Sequence, residues 1–391
     1  MGGCVHPERI GGELLMADYL TTDTDLTTVA DAIRTKGGTS AALEWPSGYV
    51  DAVDAIPTGI TPTGTISIAQ NGTYDVNDYA SASVNVSGSG DDGSLKGIIE
   101  RTATTPTLPS NLTKIGDRAF YSYSSLALTS LPSGVTSIGT YAFYSCTSLA
   151  LTSLPSSVTS IGSNAFYNCT SLALTSLPSG VTSIGTHAFR GCSNLALTSL
   201  PSGITSIGNS TFSGCSNLAL TSLPSGVTSI DASAFYNCES IPSIECDGTI
   251  TTLGNNSFIG SASNPMQLAS VSFPNMAVSS LGTAFGSSTA ANACKRLAFA
   301  DIGKTQAIAA SAFANCNALQ TLVLRRTGAI CTLANVSAFL STPMRGYNSL
   351  TGTVYVPSAL IGTYQTATNW KTLYDGGTLT FAAIEGSQYE L

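Results

Sequence analysis

The sequence predicts a repeat solenoid, a stack of short coils with parallel strands and helical turns, preceded by a small helical hairpin and a small β module. Two recurrences and one compositional fact predict it. Leu-Pro recurs with a 23-residue period from Leu108, through Leu131, Leu154, Leu177 and Leu200, to Leu223, and Phe keeps the same period from Phe120 to Phe258. A fixed period of this length marks an architecture in which each unit buries its apolar face only against its neighbours. The 391 residues are 43% hydrophobic and only 10% charged, enough for a large core but sparse in ionisable groups.

The elements follow in chain order. Residues 1–15 read as a leader outside the folded protein: Gly11-Gly12-Glu13 requires purine-rich codons shortly upstream of Met16, which predicts initiation at Met16. In 16–59, Leu26, Val29, Ala30 and Ile33 have helical spacing before Gly37-Gly38; Tyr49, Val50, Val53 and Ile56 repeat it after Trp45-Pro46. This hairpin has so little core that it would gain from assembling with copies or a partner. Residues 60–86 carry short alternating runs around Asn71-Gly72, a β module, and 87–107 are a Gly/Ser/Asp-rich linker and lead-in. Regular repeats occupy 108–245. Irregular repeats occupy 246–351, with insertions near 259–264, 286–293 and 340–347. A cap occupies 352–391: a strand over 352–357, a helix over 358–373 bearing Trp370, and a last strand over 379–384.

One unit, 131–153, reads LPSGVTSIGTYAFYSCTSLALTS, and Leu131, Val135, Ile138, Ala142, Phe143, Cys146, Leu149 and Leu151 form its inward set. Leu149-Ala150-Leu151 alternates as a short strand, Val135 to Ile138 as a second extended piece, and Gly139 with Ala142-Phe143 as a turn into one helical turn. Six large apolar side chains give roughly 9–18 kcal/mol, against about 1–2 kcal/mol of backbone entropy per ordered residue. A lone coil cannot fold, so the coils must stack. Cysteine follows Phe by three at Cys146, Cys169, Cys192, Cys215 and Cys238, with Tyr123 in that slot of the first unit. In-register positions about 4.8 Å apart with parallel Cβ vectors do not suit a disulfide, which predicts buried free thiols.

The unit Cys-x-x-Leu-x-Leu-x-x-Leu-Pro-x-x-Val-x-x-Ile-Gly-x-x-Ala-Phe resembles the BspA-like, or Treponema-type, leucine-rich repeat over about 108–357. The resemblance implies a leucine-rich-repeat solenoid used in surface adhesion. Leu151 departs from it, sitting one place earlier than the usual second strand hydrophobe. The stretches TTVADAIRTKGGTSAALEWPSGYVDAVDAI and NGTYDVNDYASASVNV resemble N-terminal modules of Firmicutes prophage tail-associated proteins, which implies a virion component attached through 16–59. The function expected first is therefore a phage or prophage tail-associated surface-binding protein. The alternative is a bacterial cell-surface adhesin binding host protein or glycan.

Other classes fit poorly. A net charge of −8 with no cluster of Lys and Arg disfavours nucleic acid, and no apolar run reaches the ~20 residues that span a bilayer. A basic, apolar secretion signal is not visible at the N-terminus. Nucleophile elbow, P-loop, dinucleotide and zinc-ligand spacings are absent, so no cofactor, metal or enzymatic activity is expected. His187 occupies a slot taken elsewhere by Tyr141, Asn164, Ser210 and Ser233 and reads as a surface position. Two binding candidates remain. One is the ladder one residue after each Phe, Tyr121, Tyr144, Tyr167, Arg190 and Tyr236, whose exposed rings could stack on sugars or grip a protein. The other is the corner enlarged by the insertions, with Met344, Arg345 and Tyr347 at its edge, residue types enriched in interfaces. Specificity is expected at that corner, with the regular coils setting reach.

Overall fold

A computed structural model describes residues 104–391 apart from 262, 264 and 291; the leader, the helical hairpin at 16–59, the β module at 60–86 and the linker through 103 lie outside the described residues. The inward set is buried throughout: Leu131, Val135, Ile138, Ala142, Phe143, Cys146, Leu149 and Leu151 and their equivalents form one continuous core. Its spine is a file of parallel rings. Phe120, Phe143, Phe166, Phe189, Phe212, Phe235 and Phe258 stack at centroid separations of 5.1–5.7 Å. The file continues through Phe285, Phe313 and Phe339 and ends on Trp370.

The Ser-Ile pairs supply the first strands: β1 (Lys114–Ile115), β2 (Ser137–Ile138), β3 (Ser160–Ile161) and β4 (Ser183–Ile184) form a parallel ladder in strict register. β5 (Ser206–Ile207) and β6 (Ser229–Ile230) repeat it, joined by β8 (Thr252–Leu253), which follows β7 (Ser243–Glu245) in the chain. The glycine after the strand Ile, present in every one of these coils but that of Ile230, where Asp231 stands, lets coils approach. A Cβ on Gly162 would meet the carbonyl carbon of Gly139 at 2.6 Å, and one on Gly185 the backbone nitrogen of Ser163 at 2.4 Å.

Two local expectations are corrected. Leu149–Leu151 is not a strand: that stretch makes a single bond to each neighbouring coil, the Ala150 N–H donating to the Leu128 carbonyl at 3.2 Å and the Leu151 carbonyl accepting from the Ala173 N–H at 3.1 Å. With Leu149 and Leu151 both inward and Leu154 inward again, the alternation is too short to pair. In the irregular coils the second inward residue moves one place later, Ile244 following Ile241 by three where Leu151 follows Leu149 by two, and real strands appear. β7 pairs with β9 (Ser270–Ser272), followed by β10 (Phe299–Asp301), β12 (Thr321–Val323), β14 (Gly352–Val356) and β15 (Leu379–Ala383) in one six-stranded parallel sheet. β11 (Ala307–Ile308) and β13 (Thr332–Leu333) continue the Ser-Ile position.

The helical turn is the second correction. Two residues in each of these coils, such as Tyr141 and Ser145 (φ 58° and 56°) or Asn164 and Asn168 (56° and 55°), are left-handed. A right-handed helix excludes that conformation. Instead the N–H groups alternate: Tyr141, Phe143 and Ser145 donate to Ser163, Ala165 and Tyr167 of the next coil, while Ala142, Tyr144 and Cys146 donate three residues back within their own coil. Every backbone donor of the turn is therefore used, half of them for stacking.

The cap closes the open end. The single helix expected over 358–373 is divided at Ala367 (ψ 133°) into α1 (Ile361–Thr366) and α2 (Thr368–Asp375), behind a short 3-10 turn at Ser358–Leu360. The Tyr364 hydroxyl accepts from the Cys331 N–H at 2.7 Å, and the Trp370 indole N–H donates to the Cys331 carbonyl at 2.8 Å. Asn369 donates to the carbonyls of Leu333 and Ala334. Side chains thus replace the coil that would come next, satisfying backbone groups that burial would otherwise orphan.

Candidate binding surfaces

The thiol ladder is structural. The described cysteines are buried and not in disulfides. Each ladder thiol also donates to the Phe carbonyl of the preceding coil: Cys146 to Phe120, Cys169 to Phe143 and Cys192 to Phe166, all at 2.9 Å. Burial pushes Cys192, Cys215 and Cys238 far above the ordinary thiol range, so they stay protonated and unreactive.

The tyrosine ladder is not the exposed row that its spacing suggested. Tyr121, Tyr144 and Tyr167 are half-buried and lie on one another, with ring centroids 4.8 and 4.6 Å apart and planes within 8° and 12° of parallel. Arg190 closes the file with its guanidinium 5.5 Å from the Tyr167 ring centre. Tyr141 packs edgewise against Tyr121 at 6.2 Å and lies under the Arg118 guanidinium at 5.7 Å. Burial by its neighbours, then the adjacent Tyr167 and Tyr121, raises the Tyr144 phenol. The file stops at Ser213, which is buried, so Tyr236 stands apart. Arg118 was not among the expected residues, although it fills the same slot before Ala-Phe as Tyr141 and a column-by-column reading would have found it. His187 in that slot is half-buried and left-handed (φ 59°), and burial, then Arg190, lowers its pKa.

Hydrogen bonds tie the inserted segments at the corner to their neighbours. The Gly260 N–H donates to the Asn292 carbonyl at 3.1 Å, the Asn315 side chain to the Ser287 carbonyl at 2.8 Å, and the Asn317 side chain to the Ser341 carbonyl at 2.9 Å, so the three inserted segments follow one another from coil to coil. Of the residues expected to bind there, Arg345 and Tyr347 are exposed. Met344 is not: it is fully buried, close enough to Gly352 that a Cβ there would meet its sulfur at 2.2 Å. Met344 is the peg that fixes the segment. What the segment presents are Leu340, Tyr347 and Leu350, at 43%, 37% and 42% exposure. Among the described residues, the other exposed large hydrophobics are Tyr374 and Leu391 alone. Four left-handed residues, Ser341, Gly346, Asn348 and Ser349, hold its shape.

Among the described residues no group of three or more His, Cys, Asp or Glu side chains could hold a metal ion, and no helix is long and apolar enough to cross a membrane. The model of the BspA type leucine-rich repeat region matches residues 100–219 and 183–320. The chain is similar to a leucine-rich repeat protein from Bacteroides ovatus (20% identity, 73% of this chain and 85% of that one, TM-score 0.39). It is also similar to a leucine rich cell surface protein from Faecalibacterium prausnitzii (22%, 63% and 83%, TM-score 0.29). A T. pallidum leucine-rich repeat protein matches at 30% identity over 36% of this chain and 77% of its own, with TM-score 0.28. Among curated proteins, none matches the sequence.

Proposed function

The chain belongs to the BspA-type leucine-rich repeat family, and from that premise we propose that it is a non-enzymatic adhesion protein of a bacterial surface, binding a host protein or glycan through its C-terminal corner. The observation that carries the site is the outward placement of Leu340, Tyr347 and Leu350 on a segment pegged by Met344, where among the described residues the only other exposed large hydrophobics are Tyr374 and Leu391. Exposed apolar groups gathered on one rigid segment mark an interaction site, and Arg345 beside them supplies a charged donor. Membership in this family favours the adhesin over the tail-associated reading, which rests on residues 16–86, outside the described residues.

The test is binding to an array of glycans and extracellular-matrix proteins. The wild-type chain is expected to bind at least one of them. Leu340→Ser/Tyr347→Ser/Leu350→Ser, which spares Met344, is expected to lose that binding, and deletion of residues 154–176 is expected to keep it. Binding that survives the triple substitution but falls with the deleted coil assigns the site to the regular array and refutes the corner.

A further inference from the structure

Alternation along a strand sends successive side chains to opposite faces, and in the six-stranded sheet Ala300, Leu322 and Val354 take the core side. The residues between them face outward. Most are small or polar, such as Ser270, Ser272, Thr321, Thr353 and Thr380, with three exceptions: Phe299 on β10, Val323 on β12 and Tyr355 on β14. Tyr355 lies opposite Val323, and Phe299 lies opposite Thr321 from the other side, so the two rings stand diagonally across β12. Two strand spacings, about 9.6 Å, leave room between them for one further ring. Tyr389 fills that room: it stacks on Phe299 at 5.3 Å and 26°, and meets Tyr355 edge-on at 4.6 Å and 68°. Val323 is fully buried although it takes no part in the continuous core that Leu322 and Leu324 join.

The segment that carries Tyr389 is held to the sheet by little else. Its last bond to a strand is the Ile384 N–H to the Val356 carbonyl at 3.0 Å. From Gly386 onward, among the described residues, the hydrogen bonds close on the segment itself: the Gly386 N–H donates to the Glu390 carboxylate at 2.8 Å, the Ser387 N–H to the Ile384 carbonyl at 3.0 Å, and the Glu390 N–H to the Ser387 carbonyl at 3.2 Å. Gly386 is left-handed (φ 75°), a conformation glycine adopts without cost. Glu385, Gln388, Glu390 and Leu391 are exposed. Residues 386–391 thus form a compact turn on a glycine pivot, attached to the sheet through the ring of Tyr389.

We propose that the seat framed by Phe299, Val323 and Tyr355 is a docking site for a tyrosine-bearing segment of a partner polypeptide, and that Tyr389 is its built-in competitor. The seat lies on the sheet and not on the inserted corner, so it stands independently of the binding assigned there. Its occupant in this chain shows what it accepts: one planar ring that offers a face to Phe299 and takes an edge-on contact from Tyr355, a combination that an aliphatic side chain does not supply. A tethered ring competes at a high effective concentration. A partner segment therefore binds the full chain with an affinity lowered by the fraction of time that Tyr389 leaves the seat open.

The probe is a fluorescein-labelled peptide with the sequence of residues 384–391, titrated by anisotropy against the full chain and against the chain ending at Glu385, which keeps the Glu385 carboxylate on the Ser358 N–H. The shortened chain is expected to bind the peptide at least about tenfold more tightly than the full chain, and Tyr389→Ser in the full chain to give the same gain. A peptide with serine in place of its tyrosine is expected not to bind. Phe299→Thr/Tyr355→Thr in the shortened chain is expected to lose binding, and Leu340→Ser/Tyr347→Ser/Leu350→Ser at the corner to leave it unchanged. Equal affinity of the full and shortened chains, binding of the serine peptide, or no binding to the shortened chain overturns the proposal. A dimer of the full chain by light scattering that Tyr389→Ser abolishes overturns the partner assignment in favour of segments exchanged between copies. If the shortened chain does not fold, as judged by far-UV circular dichroism, Tyr389→Ser in the full chain decides the matter.

Discussion

At the scale of single residues, position in the coil outweighs residue type. Phe189 and Tyr167 are both aromatic and both stacked, but Phe189 is fully buried between Phe166 and Phe212 whereas Tyr167 keeps an edge in water. Phe189→Ala is expected to cost about 3–5 kcal/mol, and Tyr167→Ala less than half of that; equal losses in urea unfolding would show that the tyrosine file is core. The thiols give a pH dependence. Burial raises their folded pKa above the unfolded value of about 8.5, so the stability they contribute is present in full below that pH and lost as pH rises through and beyond it. Each buried thiol adds a slope of about 1.4 kcal/mol per pH unit there. Melting temperature is expected to fall between pH 8 and 10, less steeply in Cys192→Ala/Cys215→Ala, with native thiols unreactive toward a disulfide reagent at pH 7; rapid native labelling would contradict this. The spacing of Phe and Cys made the core legible. Met344 was misread because interface statistics describe residue types, whereas burial depends on what a side chain meets across the sequence, here Gly352.

At the scale of elements, what sequence could convey depended on whether a strand or turn announces itself in spacing. The Ile-Gly pairs did, and their glycine is testable. Gly162→Ala sets a Cβ 2.6 Å from both the Gly139 carbonyl carbon and the Thr140 nitrogen, backbone atoms with no freedom to move aside. It is expected to destabilise by more than the ~1–3 kcal/mol of ordinary overpacking, measured by thermal unfolding; a neutral result would mean the coils can spread. The turn did not announce itself, because Ala-Phe flanked by polar residues reads equally as helix or as successive tight turns. Only the variable slots held the signal: Asn at Asn164, Asn168 and Asn237 and Gly at Gly191 and Gly214 are the types that tolerate a left-handed backbone. The cap is a third case. Tyr364→Phe removes the one acceptor of the buried Cys331 N–H and is expected to cost about 1–3 kcal/mol, with amide exchange of Cys331 accelerated before that of the regular coils. Uniform acceleration along the chain would instead make the cap a global nucleus.

At the scale of the whole molecule, the solenoid is a sum of neighbour interactions, and this can be tested by removing one neighbour. Deleting residues 154–176 joins Ser153 to Leu177 without shifting any position in the coil. Phe166 lies 5.3 Å from Phe143 and 5.4 Å from Phe189, so Phe189 can take its place against Phe143 at the same spacing. The Cys192 thiol exchanges the Phe166 carbonyl for that of Phe143, the acceptor Cys169 now uses. Arg190 moves from Tyr167 onto Tyr144, so the aromatic file is shortened by one ring and still ends on a guanidinium. The shortened chain is expected to fold cooperatively, melt somewhat lower, and lose about 4.8 Å of length by small-angle scattering. Deleting residues 154–164 removes about half a coil, sets Ser-Ile strands against turns, and is expected to leave the array unfolded from that point. Should both deletions fold equally well, coil register would not govern stability, and the neighbour-by-neighbour account would fail.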